Sequence, residues 1–185
     1  MGSEMCIRDR PRADGYSGDC DLKNKKNYRT RCSALIKFND QNILIDSSPD
    51  LRSQLLKNKI KSINKVFYTH LHADQTHGIN DLRPFFLINK KQIPVYADSN
   101  TKKYLLSTFN YCFKSSYGYP STLNINSLKK EHEFTNKNKK IKIESIPVQH
   151  GNIKSICYLI NNKLAYASDI SLFFKKDYKK LKNLE

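Results

Sequence analysis

Thr69-His70-Leu71-His72-Ala73-Asp74-Gln75-Thr76-His77-Gly78 follows directly on Val66-Phe67-Tyr68, an apolar run with the character of a buried strand. Side chains i and i+2 of a strand share a face. His70 and His72 therefore aim two imidazoles at one point as the strand ends, with Asp74 close behind. Imidazole nitrogens with a carboxylate oxygen are a donor set that suits zinc and similar divalent ions.

A mononuclear catalytic metal needs three protein ligands and an open position for water. His150, in Pro147-Val148-Gln149-His150-Gly151, is the third candidate, again where a strand runs into a loop. Asp169, in Tyr166-Ala167-Ser168-Asp169, could bridge to a second ion. All of these lie at C-terminal ends of predicted strands, where a sheet can gather them on one rim. A lone histidine at a strand end is most often structural, but several such segments in this order weigh against that reading. Asp74 has two candidate duties, as ligand to a second metal and as the acceptor that orients or deprotonates the attacking water. A plain helix cap ahead of Ile79 is compatible with either.

Around this set stand further candidates. Asp46 ends the run Ile43-Leu44-Ile45-Asp46-Ser47 and is expected either to accept a hydrogen bond from a ligand imidazole, fixing its tautomer, or to be a turn residue. Arg83 follows the histidine motif closely enough to hold a phosphate oxygen, or else to pair with Asp81. His77 is expected to point away from the site. His132, between Glu131 and Glu133, reads as a surface residue. Tyr117, Tyr119 and Pro120 read as an aromatic rim or as core.

The 185 residues suffice for one domain with a real core. No run of about 18 apolar residues is present, so no membrane span is expected, and the first residues lack the apolar core of a secretory signal. Five widely spaced cysteines without a Cys-x-x-Cys pair speak against a disulfide framework or a zinc knuckle and for a reducing cytoplasm. The formal charge of +16 comes mostly from lysines spread along the chain. It reads as a solvated basic surface, with a polyanion groove as the alternative. Residues 1–10 read as a non-native, adapter-derived segment, and residues 11–185 as a partial domain missing both ends. Such a piece is expected to expose sheet edges and to be of low stability or to associate, which leaves room for a homodimer.

Coarse periodicity places strands at residues 33–38 and 42–46, joined by an Asn39-Asp40-Gln41 hairpin. A helix capped by Ser48 with Pro49 at its first position follows, with Leu51, Leu55 and Leu56 as its apolar face. The spacing predicts a strand over 63–69, a helix over 79–86 interrupted at Pro84, a strand over 93–97 and a helix from Asp98 or Ser99 to 113. Residues 115–130 read as loop. Strands are expected at 131–134, 141–147, 153–160 and 164–167, and a helix from about Ser171. The class is mixed α and β, with helices packed on sheets.

The histidine motif resembles the signature His-x-His-x-Asp-His of the metallo-β-lactamase superfamily, with Gln75 standing at its last position. Asp46-Ser47-Ser48-Pro49-Asp50-Leu51-Arg52, Thr69 to Arg83, Pro94-Val95-Tyr96-Ala97, Val148-Gln149-His150-Gly151 and Tyr166-Ala167-Ser168-Asp169 together resemble its PhnP-like phosphodiesterase branch, whose relatives include tRNase Z-type ribonucleases. The resemblance implies an α+β fold, the αββα four-layer sandwich, here expected to be truncated at both ends. It implies Zn2+ or Mn2+ held by His70, His72 and His150, and a second site on Asp74 and Asp169 that Gln75, a weak or lost ligand, puts in question. The expected activity is metal-dependent hydrolysis of a small or cyclic phosphodiester or nucleotide. An RNA-processing nuclease and a catalytically impaired metal- or nucleotide-binding protein are the alternatives.

Overall fold

In the computed structural model, residues 14–18, 20–116, 118–182 and 184 are described. The segment read as adapter-derived, and Tyr117, lie outside them. The elements in chain order are β1 (Ala34–Phe38), β2 (Gln41–Ile45), α1 (Leu51–Lys57), β3 (Lys65–Phe67), α2 (Ala73–Thr76), α3 (Arg83–Asn89), β4 (Ile93–Ala97), α4 (Ser99–Thr108) and α5 (Asn110–Phe113). Then come β5 (Leu123–Ser127), β6 (Glu131–Asn136), β7 (Lys139–His150), β8 (Ile153–Ile160) and β9 (Leu164–Tyr166). Short 3-10 turns lie at Lys25–Asn27, Ile79–Leu82 and Lys175–Leu181.

The strands form two sheets, in the orders β1-β2-β3-β4-β5 and β6-β7-β8-β9. In the first, β1 and β2 make an antiparallel hairpin and β2 to β5 run parallel. The second is antiparallel throughout. Alternation along the strands divides the apolar side chains among three cores. Ile43, Ile45 and Phe67 face Ile141, Ile143, Ile156, Tyr158 and Ile160 between the sheets. Leu44, Val66, Tyr68, Val95 and Ala97 face Leu51, Leu55, Ile79, Leu82, Leu105 and Phe109 from the helices. On the far side, Ile146, Val148, Cys157 and Leu159 are covered by Ile170, Phe173, Leu181 and Leu184. Helices, sheet, sheet and a covering C-terminal segment are thus stacked in layers, each apolar face of a strand buried by the next.

Several local expectations are corrected. The first helix begins at Leu51 with Asp50 at its cap, and Ser48 and Pro49 lie in the loop before it. Leu56 is exposed while Leu51 and Leu55 are buried, because only positions four apart share the inward face. The segment expected as one helix over 79–86 is broken just before Pro84 into a 3-10 turn (Ile79–Leu82) and α3, and Pro84 lies in the first turn of α3, where the missing N–H costs nothing. The long helix from Asp98 is capped as expected, Asp98 accepting from the Thr101 amide, but it breaks at Phe109 into α4 and α5. Residues 115–130 are not all loop, since Leu123–Ser127 completes the parallel sheet as β5. The C-terminal helix is instead a 3-10 turn.

The parallel strands put their C-terminal ends, and the loops that leave them, on one rim. Two of these loops are knitted by backbone bonds: the Ser47 amide donates to the Gln75 carbonyl at 2.7 Å and the Gly78 amide to the Ser47 carbonyl at 2.8 Å. Gly78 makes this approach feasible, because a Cβ there would lie 2.0 Å from the Ser48 carbonyl oxygen. Gly78→Ala is therefore expected to destabilise the fold by about 3 kcal/mol, the upper end of ordinary overpacking because the obstacle is backbone. Urea denaturation followed by circular dichroism measures this. A change below about 0.5 kcal/mol, the usual range of a surface substitution, would contradict the tight contact.

Candidate metal centre

Asp46 terminates β2 in a left-handed conformation (φ 60°), which aspartate tolerates better than most residues. Its fully buried carboxylate accepts from the Thr69 amide at 2.8 Å and from the Thr69 hydroxyl at 2.9 Å. Burial pushes this carboxyl up to about 8, against the opposing pull of the two Thr69 hydrogen bonds. Because the Thr69 hydroxyl proton goes to Asp46, its oxygen is left to accept from His70 Nδ1, 3.0 Å away. With the hydroxyl proton on the Asp46 side, this contact matches the tautomer protonated on Nδ1, whose lone pair is on Nε2. The expected direct bond from Asp46 to a ligand imidazole is thus replaced by a relay through Thr69.

The second sheet closes over the same strand end. The Ile156 amide donates to the Thr69 carbonyl at 3.0 Å, the Tyr158 hydroxyl to the Tyr68 carbonyl at 2.6 Å, and Ser155 Oγ lies 3.4 Å from His70 Nδ1. These contacts come from β8, and its antiparallel partner β7, with His150 opposite Ile153, is brought to the histidine motif with it. His70, His72 and His150 meet with ring centroids 4.6, 5.0 and 5.1 Å apart and planes steeply inclined to one another. One nitrogen from each lies within 4.8 Å of the other two. His70 Nε2 is buried with no hydrogen-bond partner among the described residues, and His150 Nε2 is 3.4 Å from His72 Nδ1. Burial, and then the neighbouring His72 and His150, push the His70 ring down to about 3. A neutral ring with an unused, buried lone pair among two other imidazoles is chemistry that fits a divalent ion.

Beside the histidines lie the two expected carboxylates. Asp169 is buried, with Oδ2 3.6 Å from His70 Nε2. Asp74 sits in the first turn of α2 but caps nothing, as the capping position is His72. Between the two carboxylates lies Gln75, whose Nε2 donates to Asp169 Oδ2 at 3.0 Å and to Asp74 Oδ2 at 3.3 Å.

Other candidates are placed elsewhere. Arg83 stacks its guanidinium on Tyr119, Cζ 3.6 Å from the ring centre, in a cavity of about 260 Å³ lined also by Asn80, Tyr111 and Cys112. Its Nη1 is buried without a partner, and no ion pair to Asp81 occurs among the described residues. His77 is exposed and packs edge-on against Phe109, away from the cluster as expected. His132 is not a surface residue: it is buried against Phe67, Tyr96 and Phe134, and its Nε2 accepts from the Lys129 amide. The polar neighbours Glu131 and Glu133 hid this, because they occupy the opposite face of the strand. Thr69, Ser155 and Cys32 escaped sequence reasoning altogether. Only Thr69, adjacent to His70, carried any local signal.

Residues 41–184 match the family described as the β-lactamase superfamily domain. An octanoyltransferase of Porphyromonas gingivalis is 30% identical over 154 residues, which are 82% of this chain and 30% of that protein. A ribonuclease Z of Prochlorococcus marinus (strain MIT 9215) is 28% identical over 128 residues, 65% of this chain and 39% of that protein. The chain thus spans about a third of the length of these curated relatives. The crystal structure of a diphosphatase from the PhnP family superposes with a TM-score of 0.75 at 27% identity, over 90% of this chain and 64% of that one.

The relay from Asp46 to His70 has a measurable consequence. Thr69→Val keeps the shape but removes the hydroxyl that orients His70, and is expected to weaken Zn2+ binding roughly 10–100-fold. Competition with a chromophoric chelator reads the affinity, and an unchanged value would remove Thr69 from the metal centre.

Proposed function

The chain belongs to the metallo-β-lactamase superfamily, and from that premise we propose that it is a metal-dependent hydrolase of phosphodiesters, with a small or cyclic nucleotide ester as the expected substrate. The observation that carries this reading is the convergence of three imidazole nitrogens within 4.8 Å on the rim where the two sheets meet. In this reading His70, His72 and His150 would hold one Zn2+ or Mn2+. When bound, the ion supplies a Lewis acid for a phosphoryl oxygen and acidifies a water molecule.

The chain's own groups would do the rest. Asp74, half-buried beside the cluster, is the proposed acceptor of the water proton and the group that aims it. Asp169 contributes its Oδ2 next to His70 Nε2. Asp46, through Thr69, keeps the His70 ring turned and its proton on Nδ1. Arg83, in its own cavity away from the histidines, is the proposed phosphate contact, since its buried Nη1 has a donor to offer and Tyr119 holds the guanidinium plane in place. Among the described residues no helix is long and apolar enough to cross a membrane. The widely spaced cysteines, with no Cys-x-x-Cys pair among them, support a reducing, cytoplasmic setting.

A second reading has its own support. Lys129, Lys130, Lys176 and Lys180 line a cavity of about 730 Å³ with Ser127 and Ser145, and the similarity to ribonuclease Z points the same way. In that reading the substrate is RNA, and the lysines neutralise its backbone.

Substrates separate these readings. The Zn2+- or Mn2+-loaded protein is offered 2′,3′-cyclic nucleotides, a diphosphate-bridged dinucleotide and a precursor tRNA. Turnover of a small ester is expected, and cleavage of the precursor tRNA alone would favour the nuclease. Hydrolysis of β-lactams or thioesters, with none of these cleaved, would overturn both. Asp74→Asn is expected to lower kcat about 10²–10⁴-fold, the range of a lost general base.

A further inference from the structure

Gln75 occupies the position where the superfamily signature has a histidine, and its surroundings differ in kind from a ligand's. Its side chain is fully buried. Its amide nitrogen is ringed by three acceptors: Asp169 Oδ2 at 3.0 Å, Asp74 Oδ2 at 3.3 Å and Cys32 Sγ at 3.7 Å. Its amide oxygen is buried and meets no hydrogen-bond donor among the described residues. The amide orientation follows from this arrangement, because the reverse one would set oxygen lone pairs against two carboxylates. The donors face the acidic groups even though the acceptor is left without a partner.

Cys32 is brought there by its neighbours. The Arg31 amide donates to Asp50 at 2.7 Å, and Ser33 Oγ donates to Gln54 Oε1 at 2.8 Å, so both flanks of Cys32 are fastened to α1. Among the described residues the three-histidine cluster is the one close grouping of metal-ligating side chains, and Asp74, Asp169 and Cys32 do not form a second. A second cation therefore does not fit the donors as they stand. To admit one, both N–H···O bonds must break and the amide must turn within a packed interior to offer its oxygen. A neutral amide oxygen suits hard ions better than zinc.

We infer that the Gln75 amide nitrogen is a built-in, uncharged substitute for a second cation, tying the Asp74 and Asp169 carboxylates together and making the centre mononuclear. The inference rests on the reading of His70, His72 and His150 as one metal site. The carboxylate oxygen that the amide holds, Asp169 Oδ2, is the same atom that lies beside His70 Nε2. The hydrogen bond thus does for Asp169 what a bridged second ion would do, without adding charge.

Metal counting tests this without reference to turnover. The chain is equilibrated with excess Zn2+, desalted and analysed by elemental mass spectrometry, and the Mn2+ form is examined by electron paramagnetic resonance. The wild type is expected to hold about one ion per chain, with the signal of an isolated Mn2+. Gln75→His supplies an imidazole, and Gln75→Glu keeps the shape while replacing the donors with a third carboxylate. Each folded variant is expected to hold about two ions and to show an exchange-coupled pair. Two ions in the wild type would overturn the inference, as would a folded variant of either kind that still holds one. Should the hydrolase reading fail, the substrates go uncleaved while these counts stand; should the histidine site itself be wrong, the wild type holds none.

Discussion

The architecture of the rim depends on one buried carboxylate. Asp46 sits where β2 stops, in a backbone conformation few residues accept, and takes two hydrogen bonds from Thr69 where β3 stops. A buried carboxylate is costly unless it is so satisfied, and the requirement locks two adjacent parallel strands in register at their exits. From Thr69 the consequences run outward. Its hydroxyl turns His70, and its carbonyl takes the Ile156 amide of the second sheet. The position of His150, delivered by the neighbouring strand β7, follows from that sheet-to-sheet bond.

A second constraint is electrostatic. Asp46, Asp74 and Asp169 crowd one end of the sandwich, and each must be met by donors or by positive charge. Asp46 is met by Thr69. Asp74 and Asp169 are met in part by an amide whose nitrogen lies between them. Nearby, three imidazoles point nitrogens at a common place, and burial keeps the innermost ring neutral. Neutral lone pairs on one side and hydrogen-bonded carboxylates on the other make an asymmetric centre.

Where sequence reasoning succeeded and failed follows from the range of the interactions. Asp98 as a helix cap and the β1–β2 hairpin were legible because their causes lie within a few residues. The Ser48 cap was misread, since the segment 46–48 is held by backbone bonds to Gln75 and Gly78 rather than by helix geometry. β5 was missed because Leu123-Asn124-Ile125-Asn126 is too polar to read as a strand until β4 offers it a parallel edge. His132 looked exposed between two glutamates, and only the second sheet folding over Phe67 and Tyr96 buries it.

The sequence by itself determined the mixed α and β class and the five side chains His70, His72, Asp74, His150 and Asp169 that gather on the rim, because strand periodicity and donor type are local and survive in one dimension; the αββα layering came from the family resemblance that those motifs carry. What Gln75 does there was decided only by the tertiary structure. As a letter, it is a missing ligand. In three dimensions its partners lie 1, 43 and 94 residues away, and the direction of its amide is set by two carboxylates that the chain brings together only when both sheets are closed.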